Sequence, residues 1–168
     1  MEPTKAIILS IATLLALAII IMFMQFLSRK AKNRNQEDGK MKLSFSLWFI
    51  SFFFSGSLIV TKTITVYAEA VDYLLKIYPT KSWFESFKSG SLFIGLAIGW
   101  LLLWYFVSNR LSAFITGKRN PVHEVEANNY TFFLVRGILL IGITICLLPT
   151  FEIVVRAFVP GVQLPFYH

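Results

Sequence analysis

The stretch from Ala6 to Leu27 carries no charged residue, and only Ser10, Thr13 and Gln25 are polar. A helix of about 20 such residues matches the hydrocarbon thickness of a bilayer. Inside lipid every backbone N–H and C=O must be satisfied within the protein, which restricts a run of this length to helix. Three further runs follow, from about Leu43 to Val66, from Ser91 to Val107 and from Tyr130 to Phe151. Lys62 alone interrupts the second and Arg136 alone the fourth. The fold class expected is an all-α integral membrane protein with four transmembrane helices, one membrane domain over residues 1–168.

A cleaved signal peptide does not fit the first run. Its apolar stretch is longer than the roughly 7–15 residues of a signal h-region. Glu2 and Lys5 precede it without a cationic cluster, and Leu27-Ser28-Arg29-Lys30 follows in place of a small-x-small cleavage site. The first span is therefore read as a retained helix. With 56% hydrophobic and only 15% charged residues, the chain also departs from a soluble domain, where about a quarter of residues are charged. The single cysteine, Cys146, excludes an intramolecular disulfide and any CxxC site.

Lys and Arg in the short loops set the expected orientation. Residues 28–42 hold Arg29, Lys30, Lys32, Arg34, Lys40 and Lys42, and the loop after the third span holds Arg110, Lys118 and Arg119. Between spans two and three Lys76, Lys81 and Lys88 are offset by Glu69, Asp72 and Glu85. The basic loops are thus expected in the cytoplasm and both termini outside. The net charge of +7 follows from this distribution. No nucleic-acid partner is expected, because the basic loop lacks interleaved aromatics and any readout motif. Its readings are an anchor on anionic headgroups, or a docking surface for a partner protein along Arg29 to Lys42.

Sliding the second span onto the fourth so that Phe52 meets Phe133 also pairs Gly56 with Gly137, Leu58 with Leu139, Thr63 with Thr144 and Ile64 with Ile145. Such a register suggests two tandem hairpins, which two helices per unit would make parallel repeats. After the second span, Val71, Leu74, Leu75 and Tyr78 share one helical face, and Pro79 disfavours helix at Tyr78. An external interfacial helix over 67–77 is expected, with Tyr67, Tyr73, Tyr78 and Trp83 at headgroup level. Phe158 to His168, broken by Pro160 and Pro165, reads as an external tail at the same interface.

The second span also carries a polar stripe: Ser44, Trp48, Ser51, Ser55, Leu58, Lys62, Thr65, Glu69, Asp72 and Lys76 follow one another in steps of four and three. A helix surrounded by lipid gains nothing from it, so the stripe should face other helices or water. A lysine at the bilayer centre costs roughly 2.5–3.5 kcal/mol. Lys62 has three ways out: its long side chain snorkels outward, it pairs with Glu69, Asp72 or Glu152, or it lines a hydrated path. Arg136, close to the cytoplasmic side, is read as snorkelling inward. Glu152 and Arg156 are spaced to pair along one helix, and Pro149 before them is expected to kink it.

Gly95 and Gly99 form a GxxxG pattern that allows close helix approach, within the subunit or between copies. Ala12 and Ala16 repeat the spacing on span one, and Gly56 and Gly137 are the other packing candidates. Trp100 and Trp104 read as interfacial anchors. His123-Glu124-Val125-Glu126 lacks the second histidine of a zinc helix, and there is no P-loop, dinucleotide glycine pattern or catalytic triad. No catalytic, cofactor or metal residue is expected.

Asn128 and Asn129 open the fourth span, with Gly137 and Gly142 following, and Phe54-Ser55-Gly56-Ser57-Leu58 forms a matching small-residue centre in the first half. In these features the chain resembles an uncharacterised bacterial membrane family, the domain of unknown function numbered three-fifty. Ser44 and Phe45 depart from it where Asn is usual, and Phe132 and Phe133 replace small residues. The resemblance implies a duplicated two-helix hairpin in a bacterial inner membrane and supplies no site residues. Two functions are expected from the whole. One is a small homo-oligomeric channel or transport component lined by Ser51, Ser55, Lys62, Thr65 and Glu69, with Glu152 beside them. The other is a membrane-anchored adaptor or structural subunit of a larger complex.

Overall fold

A computed structural model describes residues 2–32, 42–77, 82–117 and 119–159. Every element in them is helical: α1 (Glu2–Lys32), α2 (Leu43–Ile77), α3 (Ser82–Thr116), a short α4 (Pro121–Glu126) and α5 (Tyr130–Arg156). The four longer helices are each long and apolar enough to cross a membrane. The basic stretch 28–42 lies largely outside the described residues, as do Tyr78, Pro79 and the tail from 160 onward.

Length is where the helices depart most from the apolar runs. At about 1.5 Å per residue, the 35 residues of α2 and of α3 each extend about 52 Å, against about 30 Å of hydrocarbon. Both overhang. α2 continues unbroken through the segment read as interfacial, and Val71, Leu74 and Leu75 are buried in the bundle, not laid on its rim. α3 begins well before Ser91 and ends well after Val107. It stops where Gly117 takes a left-handed φ of 80°, a conformation with no Cβ to oppose it.

This extension moves the tryptophans. Trp100 and Trp104 lie about 24 and 18 Å of helix rise from the α4 end of α3, too deep for an interfacial anchor there. The Trp100 ring instead packs on Phe151 at 5.3 Å and edge-on to Trp104 at 5.7 Å.

Successive long helices alternate in direction, so both described ends of the chain lie together, opposite α4. Around the bundle α1 packs on α2, α2 on α5 and α5 on α3, while α2 also reaches α3 across the centre. The α2–α5 contact is the most extensive and the α1–α3 contact the thinnest of those between the long helices that touch. α1 contributes one narrow ridge, Ile8, Ala12, Ala16, Ile20 and Met24, each four residues after the last. The centre is filled by Phe52, Val66, Tyr67, Val71, Phe93, Phe151 and Val155.

Candidate functional site

Ser51, Lys62 and Glu69 of the α2 stripe meet α5 along one seam, which begins at the α4 end with two asparagines, while Thr65 and Asp72 turn toward α1. Asn128 stands at φ 49°, a left-handed conformation that asparagine tolerates better than most residues. Its side-chain oxygen accepts from the Ser44 N–H at 3.3 Å, in the first turn of α2. Asn129 caps α5 by accepting from the Phe132 N–H at 3.3 Å, and its amide donates to Glu124 at 2.6 Å. Lys42 Nζ donates to the Glu126 carbonyl at 3.1 Å. Neighbouring residues of one turn thus satisfy the starts of two parallel helices.

Further along, α2 and α5 approach closely at Gly137. A Cβ built there would stand 2.1 Å from Ser51 Oγ and 2.9 Å from Ser51 Cβ, so no other residue fits without displacement. The Ser51 hydroxyl turns back to the Leu47 carbonyl at 2.8 Å. Ser55 is wholly buried, and its hydroxyl has no partner among the described residues. Thr63 and Thr144 are both buried, and each donates to the carbonyl one turn earlier, at 2.8 Å. Gly56, like Gly137, is buried; its added Cβ would meet the end of the Ile20 side chain at 2.9 Å, a flexible neighbour.

The far end of the seam is ionic. Lys62 Nζ lies 2.6 Å from Glu152, the other oxygen of Glu152 meets Arg156 at 3.0 Å, and Arg156 reaches across to Glu69 at 2.6 Å. Of the three ways out for Lys62, the structure takes pairing with Glu152. α5 remains one continuous helix through Pro149, which is exposed. Thr65 is also exposed and donates to the Thr61 carbonyl at 3.0 Å. Lys5 of α1 pairs with Asp72 at 2.5 Å, so three cations and three carboxylates are paired with one another at this end.

Two features of the site left little trace in the sequence. Tyr67, read as a headgroup ring, is 1% exposed and donates its hydroxyl to the Ser86 carbonyl of α3 at 2.6 Å, over Gly90. Arg136, read as snorkelling inward, instead finds a partner on α3. It is half-buried between α5 and α3, where Nε donates to Asn109 Oδ1 at 3.1 Å and Nη2 to the same oxygen, with the Phe132 ring at 5.4 Å. Asn109 is a short polar residue on the last turns of α3, and nothing in the sequence ties it to Arg136.

The remaining packing candidates face outward. Gly95 and Gly99 have nothing within 4 Å of where a Cβ would stand, so within the subunit they bring no helix close. Gly95 borders an apolar groove of about 350 Å³ between α1 and α3, along with Ile8, Ala12, Leu15 and Ile94. A second, open groove of about 540 Å³ between α1 and α2 collects the hydroxyls of Thr13, Ser57, Thr61 and Thr65. Among the described residues no group of His, Cys, Asp and Glu could hold a metal ion, and Cys146 is exposed on α5.

The fold and its seam define a class, a helical bundle compatible with a multi-pass membrane protein, held by one small-residue contact and one charged clasp. Comparison with family models, curated proteins and solved structures gives no match to this chain.

Proposed function

We propose that the chain is a non-enzymatic, multi-pass subunit of the bacterial inner membrane, with both termini outside, that works by assembly: an adaptor or structural subunit. One observation carries this reading. The polar stripe of α2 is engaged inside the protomer, with Ser51 against Gly137, Ser55 buried, Lys62 on Glu152 and Glu69 on Arg156. Intramembrane charges that neutralise one another are structural clasps; a conducting path needs them facing water. What stands open is the α3 face with Gly95 and Gly99, the surface type on which membrane helices meet. The partner is a second copy on that face, and the basic stretch Arg29 to Lys42 supplies a docking surface for a cytosolic or membrane protein. The paired positions of α2 and α5, Phe52 with Phe133 and Thr63 with Thr144, share burial, which supports two parallel hairpin repeats.

A second reading has its own observation. The hydroxyls of Thr13, Ser57, Thr61 and Thr65 line the α1–α2 groove, and copies meeting there would enclose a polar path between subunits. Single cysteines at Ser51, Ser55, Lys62 and Thr65, with Ile59 and Ile64 as controls and Cys146 replaced by Ser, separate the two. A small membrane-impermeant thiol reagent on intact cells should modify Thr65→Cys and spare Ser51→Cys and Ser55→Cys. Modification reaching Ser51 would overturn the assembly reading in favour of a channel.

A further inference from the structure

At the end of the bundle where the chain's described ends lie, Lys62 within its span has Glu152, and the flanking Lys5 and Arg156 have Asp72 and Glu69 with Glu152. Arg136 at the α4 end is different. Its guanidinium donates to the neutral side-chain oxygen of Asn109 and lies over the face of Phe132, and no ion pair with a carboxylate forms among the described residues. A guanidinium presents five donors, and Asn109 occupies only Nε and Nη2. A half-buried cation in a spanning helix, uncompensated and with donors to spare, is costly unless an anion reaches it.

The position of Arg136 says which anion. It lies about 9 Å of helix rise from the start of α5, and Asn109 lies about 10 Å from the end of α3. Both are near the boundary between headgroups and acyl chains in the leaflet at the α4 end. The crevice behind the guanidinium, lined by Trp48, Ser51, Tyr105 and Ser108, holds only about 10 Å³, no more than a water molecule needs. A free phosphate therefore cannot enter it, and an anion must come from the lipid-facing rim. We propose that Arg136, oriented by Asn109, binds the phosphodiester of an anionic phospholipid of that leaflet. The planar fork of arginine suits two phosphate oxygens, and basic pockets between spanning helices hold anionic headgroups in this manner. The site lies on the α3–α5 edge and does not depend on the assembly reading.

The test uses the full chain in detergent, with phosphatidylglycerol and phosphatidylcholine of identical acyl chains, read by native mass spectrometry. Phosphatidylcholine carries the same phosphodiester but neutralises it with its own choline cation, so wild type should retain the net-anionic phosphatidylglycerol about tenfold better. Arg136→Gln should remove the preference, and Arg136→Lys, which keeps the charge and loses the fork, should reduce it. Arg110→Gln, on the exposed neighbour of Asn109, should leave it unchanged. Inorganic phosphate at millimolar concentration should not compete. Equal retention of the two lipids by wild type, or an undiminished preference in both Arg136 variants, overturns the proposal. So does competition by inorganic phosphate, which would make the site one for a soluble anion. Loss of fold in Arg136→Gln leaves the wild-type ratio and the lysine variant to decide.

Discussion

The α2–α5 seam and the α1–α3 edge belong to one bundle and use the same small residues to opposite ends. On the seam Gly137 is covered by Ser51 so closely that a single methyl group would collide with it. On the α1–α3 edge Gly95 and Gly99 have the familiar GxxxG spacing and touch nothing. A glycine on a spanning helix offers close approach, but a neighbour must accept it. The seam has that neighbour because both of its ends are fastened, by the Asn128–Asn129 turn at one and by Lys62, Glu152, Arg156 and Glu69 at the other. The α1–α3 edge is packed more thinly, and a groove of about 350 Å³ remains.

Four sets of substitutions would break or sharpen this contrast. The largest effect is expected at Gly137. Gly137→Ala should cost about 1–3 kcal/mol through overpacking against Ser51, and Gly137→Leu more, read as a fall in Tm by circular dichroism in detergent. Adding Ser51→Gly to Gly137→Ala should recover part of the loss; no recovery would place the strain elsewhere. Next comes Tyr67→Phe, which removes the buried hydrogen bond to the Ser86 carbonyl and should cost about 1 kcal/mol by the same measurement.

Asn129→Ala removes the cap of α5 and should cost a similar or smaller amount, about 0.5–1 kcal/mol. Hydrogen exchange should then rise first at the start of α5, and protection unchanged there would show that the turn is not what fastens the seam. The smallest effect belongs to Gly95→Ala and Gly99→Ala. Neither should lower Tm, and each should add up to about 1 kcal/mol, the gain that alanine brings to a helix interior. A bulkier Gly99→Leu should likewise spare Tm while reducing cross-linking between copies in membranes. If Tm falls instead, the α1–α3 edge is tighter than its groove suggests.

The four apolar runs were legible because lipid demands a minimum length and forbids charge, and no other constraint in the chain is as strict. The spacing of Glu152 and Arg156 gave their pairing, and Glu152 stood among the partners open to Lys62. The inward faces were much harder to read. In a soluble protein polarity marks the outside of a helix, whereas here both sides are apolar and packing decides. Phe54 and Phe52 look alike in sequence, yet one is exposed and the other wholly buried. The length of α3 was hidden for a related reason: Trp83, Phe84 and Phe87 before the run and Ser108 and Ser112 after it are compatible with helix or with loop. Arg136 and Asn109 are far apart in sequence, and nothing in either span announces the other.

The turn at Asn128–Asn129 and the clasp at Lys62–Glu152 act together as two pins through one plate. Two pins forbid sliding. For α5 to move lengthwise past α2, a capping bond and an ion pair must break in the same event. Swinging α1 away from α3 breaks neither, since Lys5 fastens α1 to Asp72 of α2. Sliding along the α2–α5 seam therefore meets two fastenings at once, whereas the thinner α1–α3 contact lies outside both.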